Sequence, residues 1–273
     1  MASMRMWMLN LAVIAATVVA AGDASAGRER KTCPDRGHPA LQGEALGVPD
    51  HACRPPTTVR MSGTAYTFNT RNGIAGAEIY VDELPERMAV TDENGAWELE
   101  VPIGADVTPY IVAAGHHTIY LQTFHVGTEN IEQVNFQTPQ DSIYNLLYLL
   151  IQSYIGAPPF EQGCVIVSTV SDPAVVGMTF DEFIHFAPHG VAGASVSGDP
   201  ELPDPIYFND SVFPDLKQEL TSGDGGVLFA NVPVGVYEVS ATHPDYEFAT
   251  FMATCEQDRV INASPPWGLH GIP

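Results

Sequence analysis

The amino-acid sequence predicts an all-β protein, two copies of one small β-sandwich joined by a single amphipathic helix. The stretch Gly73-Ile-Ala-Gly-Ala-Glu-Ile79, followed by Thr91, Asn94-Gly95 and Val101-Pro-Ile-Gly104, returns in the same order as Gly190-Val-Ala-Gly-Ala-Ser-Val196, Thr221, Gly225-Gly226 and Val232-Pro-Val-Gly235. A fixed order of strand, turn, strand and Pro-x-Gly corner, repeated once, marks a duplicated β unit. Short alternating runs fill each copy, and between the copies the apolar period lengthens to that of a helix.

Residues 1–26 read as a secretory signal, with Arg5 in the basic region, an apolar run over 7–21 and the small-residue site Ala24-Ser-Ala26. The mature chain is expected to start at Gly27. No cysteine sits at the cleavage point, and no later apolar run approaches the roughly 20 residues of a membrane helix. The expected location is therefore secreted or periplasmic. Residues 27–56 mix Pro, Gly and charge with little periodicity and read as an irregular segment held by its own disulfide. Four cysteines in an exported chain imply two disulfides with three possible connectivities. Neighbour order favours Cys33 with Cys53 and Cys164 with Cys255. The second pair closes a long loop and stabilises by about 4 to 5 kcal/mol in the chain-entropy model.

The first sandwich is placed at 57–137, where seven alternating runs occur over 60–68, 77–82, 88–91, 96–101, 107–113, 118–126 and 131–137. Asn94-Gly95 supplies the positive φ of a tight hairpin, and Pro102 with Gly104 turns the next corner. In the linker 138–160, Ile143, Leu146, Leu147, Leu150, Ile151 and Tyr154 share one helical face, with Asp141 or Ser142 as cap and Gly156 as stop. The second sandwich is placed at 161–265 and carries two insertions, 172–188 and 199–215, with 266–273 left as a tail. Aligning the copies puts His116 opposite His243 and Thr123-Phe124 opposite Thr250-Phe251.

These turn and core residues, together with Ala241-Thr-His243-Pro and Tyr246, resemble the carboxypeptidase regulatory-like domain. That resemblance implies two Ig-like, transthyretin-like sandwiches of seven strands, of a kind found beside catalytic domains, in surface proteins and in secreted stalks. It implies no catalytic residues, because the matching positions are turns and core.

The formal net charge is −22, and no Lys or Arg occurs between Met88 and Leu216. Such a surface repels phosphate backbones and anionic lipid, which excludes nucleic acid and acidic membranes as partners and suits cations, basic proteins or neutral glycans. His-x-x-Glu, His-Glu-x-x-His and Gly-x-Ser-x-Gly are absent. The first strands, 60–68 and 163–171, contain no Lys from which an adhesin-type isopeptide bond could form.

Three local patterns carry chemistry. In 179–189, Thr179 and Glu182 form a capping box, and Asp181, Glu182, His185 and His189 offer oxygen and nitrogen ligands to a transition metal. In 199–215, the carboxylates Asp199, Glu201, Asp204, Asp210 and Asp215 could hold calcium, without the regular spacing of a calcium loop. Tyr207 and Phe208, in the same polar stretch, are candidate stacking rings for a glycan. His116, His117 and His125 beside Tyr110 and Tyr120 suggest an iron set, but the spacing fits a turn role for His116 better. The reading that follows is an exported, non-enzymatic binding or structural protein of the cell surface or periplasm. It needs no cofactor and has a protein or glycan partner. The alternatives are a metal-dependent enzyme centred on 179–189 and a carbohydrate-binding accessory module.

Overall fold

The computed structural model describes residues 57–263 and 265–273. The expected leader, the segment 27–56 and the Cys33–Cys53 pair lie outside the described residues.

The first copy comprises β1 (Thr58–Thr67), β2 (Glu78–Val81), β3 (Met88–Val90), β4 (Ala96–Pro102), β5 (Asp106–Val107), β6 (Pro109–Val112), β7 (Ile119–Tyr120), β8 (Phe124–His125) and β9 (Phe136–Thr138). Strands β4, β1 and β9 form one sheet, and β3, β2, β6 and β7 run side by side in another. Met61, Ile79, Val81, Val101, Ile111 and Phe136 are sealed within the first copy's core. Two expected runs are broken by hydrogen bonds to distant parts of the chain. The run 107–113 splits at Thr108, whose N–H and hydroxyl both donate to the Glu83 carboxylate at 2.7 Å. The run 118–126 splits because the Thr123 N–H donates to the Met252 carbonyl of the second copy.

Helix α1 (Asp141–Ile155) follows, then the second copy: β10 (Gly163–Ser171), α2 (Phe180–His185), β11 (Ser195–Asp199), β12 (Ile206–Tyr207), β13 (Gly226–Pro233), β14 (Gly235–Thr242), β15 (Phe251–Cys255), β16 (Val260–Ala263) and β17 (Leu269–His270). One sheet runs β12-β13-β10-β16, the other β11-β14-β15. Cys164 on β10 and Cys255 on β15 are joined by a disulfide between the two sheets, their Cα atoms 5.6 Å apart. The segment 266–273 is not a free tail. Its β17 pairs in parallel with β10, and Leu269 is fully buried.

The repeated residues make one device twice. Thr91 donates its hydroxyl to the Ile74 carbonyl at 2.6 Å and accepts from the Ala77 N–H at 2.8 Å. Thr221 does the same with Val191 and Ala194 at 2.6 and 2.8 Å. Each hydroxyl satisfies a backbone donor and acceptor that the turn would otherwise bury unpaired. Beside it, Gly95 and Gly225 adopt φ of 84° and 77°, a region that favours glycine.

The copies are not separate beads. β16 pairs in parallel with β7, Ile261 against Tyr120, so a sheet of the second copy continues into a sheet of the first. Arg259 sits at this seam, only 7% exposed. It donates to Asp82 of the first copy at 2.8 Å and to Glu256 of the second, and lies 4.3 Å from the centre of the Tyr120 ring. A buried guanidinium needs such compensation, and the ring face adds a cation–π contact.

Two outcomes are expected in equilibrium unfolding. Thr91→Val and Thr221→Val each lower stability by about 2 kcal/mol, because each leaves a buried N–H unpaired; a urea midpoint unchanged in either would contradict this. Arg259→Met lowers stability by about 2 kcal/mol and broadens the calorimetric transition, as the copies lose the contact that couples them.

Candidate functional site

The outward face of β10 explains where the site lies. The Ala65 N–H bonds to the Gly95 carbonyl and the Val170 N–H to that of Gly225, which aligns β1 with β10. The outward positions Arg60, Ser62 and Thr64 of β1 then correspond to Val165, Val167 and Thr169 of β10. In the first copy this face meets water, with Arg60 paired to Glu98 and Glu132 at 3.8 and 3.2 Å. In the second it is apolar and must be covered.

Helix α1 covers it. Gln140 occupies the N-cap position without a side-chain cap bond, in place of the expected Asp141 or Ser142. Gly156, at φ 71°, ends the helix as expected, its N–H bonded to the Gln152 carbonyl. The packed residues are Tyr144, Leu147, Tyr148, Ile151 and Tyr154, of which Leu147, Ile151 and Tyr154 belong to the expected face and Tyr144 and Tyr148 do not. Ile143, Leu146 and Leu149 stay in solvent at 39%, 55% and 62% exposure. Ile151 is buried in one cluster with Val165, Ile206, Phe208, Leu228 and Ala230. At the other end Tyr144 stacks on His117, ring centres 3.4 Å apart. The helix therefore touches both copies.

A cavity of about 190 Å³ lies beneath it. Its apolar wall is formed by Leu147, Tyr148, Phe160, Val165 and Leu228, and the seam strand β16 adds Val260 and Asn262. Both insertions reach it as well. The first brings Phe183 and is followed by His189, and the second brings Phe208, Val212 and Pro214. Among the described residues Asp224 contributes the one carboxylate of the lining, and it accepts from the Gly226 N–H at 3.2 Å. Burial pushes the Asp224 carboxyl up, with His189 opposing the rise. Burial likewise holds the His189 imidazole low.

The sequence-derived candidates are placed differently from expectation. Glu182 closes the capping box, accepting from the Thr179 N–H and hydroxyl at 2.8 Å. Those bonds hold its carboxyl low. His185 Nδ1 lies 2.7 Å from the Asp181 carbonyl oxygen, and His189 turns to the cavity, its ring 5.2 Å from Phe183. The insertion 172–188 is instead a clamp: Val175 and Phe183 bury against Tyr66 of the first copy, and Phe180 packs on the same ring at 5.1 Å. Asp199 pairs within β11, Glu201 and Asp204 point to solvent, and Asp210 accepts from the Gly223 N–H at 2.9 Å. Among the described residues, no three or more His, Cys, Asp or Glu side chains gather as metal ligands. The iron set is also dispersed: Tyr110 and Tyr120 stack on each other, while His116 Nε2 lies 3.0 Å from Thr67 Oγ1 and His125 Nδ1 lies 2.8 Å from Asp106.

Tyr207 and Phe208 are not in a polar loop. They occupy and follow the short strand β12 and are buried at 3% and 6% exposure. The Tyr207 oxygen accepts from the Val196 N–H at 3.0 Å inside the second core, which leaves Phe208 alone facing the cavity. Sequence reasoning missed His189 and Asp224 as cavity partners, and missed Tyr144 and Tyr148. The signal was the unbroken apolar run Cys164–Val167 against the alternation of β1.

No family model matches this chain, and no curated protein matches it. Among solved structures, the minor pilin of Streptococcus agalactiae is similar over 79% of this chain and 97% of its own, at 11% identity and TM-score 0.25. The shaft pilin of Lactobacillus rhamnosus GG is similar over 80% and 99%, at 11% identity and TM-score 0.22. A type II cohesin–X-dockerin complex from Acetivibrio cellulolyticus is similar over 29% of this chain, at 17% identity and TM-score 0.25, and the match spans 56% of that structure's chain. Among the described residues no helix is long and apolar enough to cross a membrane.

Burial also sets a pH dependence. His117 and His189 are both held below the ordinary 6.5, so the unfolded chain takes up protons first. Their contribution is whole above 6.5 and is lost as the pH falls through the lowered values. Asp224, raised above 3.8, works the other way and favours the folded state as the pH falls through its raised value. The urea midpoint is expected to fall from about pH 7.5 to about pH 5.5. In His117→Phe, which keeps a ring on Tyr144, the fall is shallower; an identical slope would contradict the assignment.

Proposed function

We propose that this chain is an exported, non-enzymatic binding protein in which two regulatory-like sandwiches frame one cavity for a small, largely apolar ligand. The observation that carries this reading is the convergence of everything that is not repeated. Helix α1, the insertion 172–188 and the insertion 199–215 have no counterpart in the first copy, and all three contribute to the same cavity. A concave, mainly apolar site with a few polar groups among its lining, here Asn69, Gln137, His189 and Asp224, is the usual form of a small-molecule site. Export is supported by the Cys164–Cys255 disulfide, which belongs to oxidising compartments, together with the expected leader. A purely structural role is favoured by the continuous sheet alone, and it predicts an inert cavity.

The test is uptake of the neutral fluorescent probe N-phenylnaphthylamine. The folded protein is expected to bind it saturably with a blue-shifted emission. Leu147→Trp, which fills the cavity, is expected to unfold cooperatively and yet not take up the probe. A silent wild type, or a variant that binds equally well, would refute the binding reading.

A further inference from the structure

The chemistry of the cavity's charged lining group narrows the ligand class, an inference that rests on the binding reading above. We propose that the cavity takes a small amphiphilic ammonium ion, a protonated amine on an aromatic or short alkyl body, with Asp224 as its counter-ion.

The first support is the position of the carboxylate. Asp224 follows the repeat: it stands where the first copy has Asn94, just before the glycine of positive φ. Asn94 is exposed on an open turn. Asp224 is half-buried and lines the cavity, so the second copy has placed a charge where the first has a neutral amide in water. A carboxylate taken from water needs a cation or several hydrogen bonds to remain ionised. Among the described residues its one hydrogen bond as acceptor comes from the Gly226 N–H, and no Lys or Arg lines the cavity.

The second support is what surrounds it. The Phe208 ring and the Asp224 carboxylate both sit over Gly226, where an added Cβ would run into each of them. Phe183 lines the same cavity, its ring 5.2 Å from that of His189. An ammonium beside Asp224 would thus meet aromatic rings, which attract cations through their faces. The apolar body would lie toward Tyr148 and Phe160, whose rings stack at 6.2 Å along the helix wall. Burial holds the His189 imidazole low, against the pull of Asp224.

The third support is the field of the whole body. From residue 57 onward the bases are Arg60, Arg71, Arg87, Lys217 and Arg259, against 28 acidic residues. Such a field concentrates cations and repels carboxylate-headed amphiphiles such as fatty acids.

The experiment compares three probes that share one aryl body and differ in the head group: phenylpropylamine, phenylpropanol and phenylpropionic acid. Binding is measured by calorimetry and by displacement of N-phenylnaphthylamine at low salt, above neutral pH, with wild type and Asp224→Asn. The variant is suited to this because Asn already serves the same turn in the first copy. The amine is expected to bind wild type at least about tenfold more tightly than the alcohol, with the acid weakest. In Asp224→Asn the amine's advantage over the alcohol is lost while alcohol binding persists. If the three bind alike, if the acid binds best, or if the variant keeps the amine preference, the ammonium inference is overturned and the binding reading stands. If N-phenylnaphthylamine and all three probes fail to bind, both are overturned.

Discussion

Arg259 draws its two carboxylates from different copies, Asp82 from the first and Glu256 from the second, and covers a first-copy ring, Tyr120. Its charge is therefore compensated only when both sandwiches are formed and docked. A guanidinium this buried is costly in any other arrangement, so it disfavours alternative placements of one copy on the other. Directly after Arg259 comes β16, which it holds against β7. That strand supplies Val260 and Asn262 to the cavity and continues the sheet on which α1 rests. Without the seam, the helix would have no surface spanning the two copies.

The two copies conserve their turns and diverge on their faces. Thr91 and Thr221 make the same pair of bonds, because the backbone of that turn has the same orphan groups in both. Nothing in the turn constrains which way an outward residue of β1 or β10 must go. Arg60, Ser62 and Thr64 keep one copy in water, while Val165 and Val167 give the other an apolar face. The asymmetry is what permits a cavity. A pair of identical sandwiches would present two solvated sheets and no chamber.

How much of this was legible in the sequence follows from where the forces act. The strands and hairpins were, since alternation and Asn-Gly or Gly-Gly turns are local. So was the helix over 141–155 with its stop at Gly156. The Cys164–Cys255 bond agrees with simple neighbour order because the two strands it joins belong to one copy. The stripe of α1 was legible only in part, at Leu147, Ile151 and Tyr154, because Leu, Ile and Tyr are present on nearly every side of the helix and the choice among them is made by the shape of β10 and β13. Tyr207 and Phe208 look exposed between Pro and Asp residues, yet β12 is drawn into the sheet by its pairing with β13. The carboxylates of 199–215 and the histidines of 179–189 are close in sequence, but capping, turn bonds and the clamp on Tyr66 turn them apart. The seam was not legible at all, since parallel pairing of single residues leaves no local pattern.

The β16–β7 pairing also sets an order of events in time. Thr123 and Thr254, whose hydroxyls meet at 2.7 Å beside the seam, are 131 residues apart. When the first sandwich is complete, its β7 edge still carries unpaired backbone groups, and the strand that will cover them has not yet been reached. A chain made from its N-terminus must keep that edge bare until β16, Val260–Ala263, is available. Contacts of such long range form slowly, and open edges recruit other strands. For this molecule the hazardous interval therefore lies after the first copy has folded and before β16 arrives.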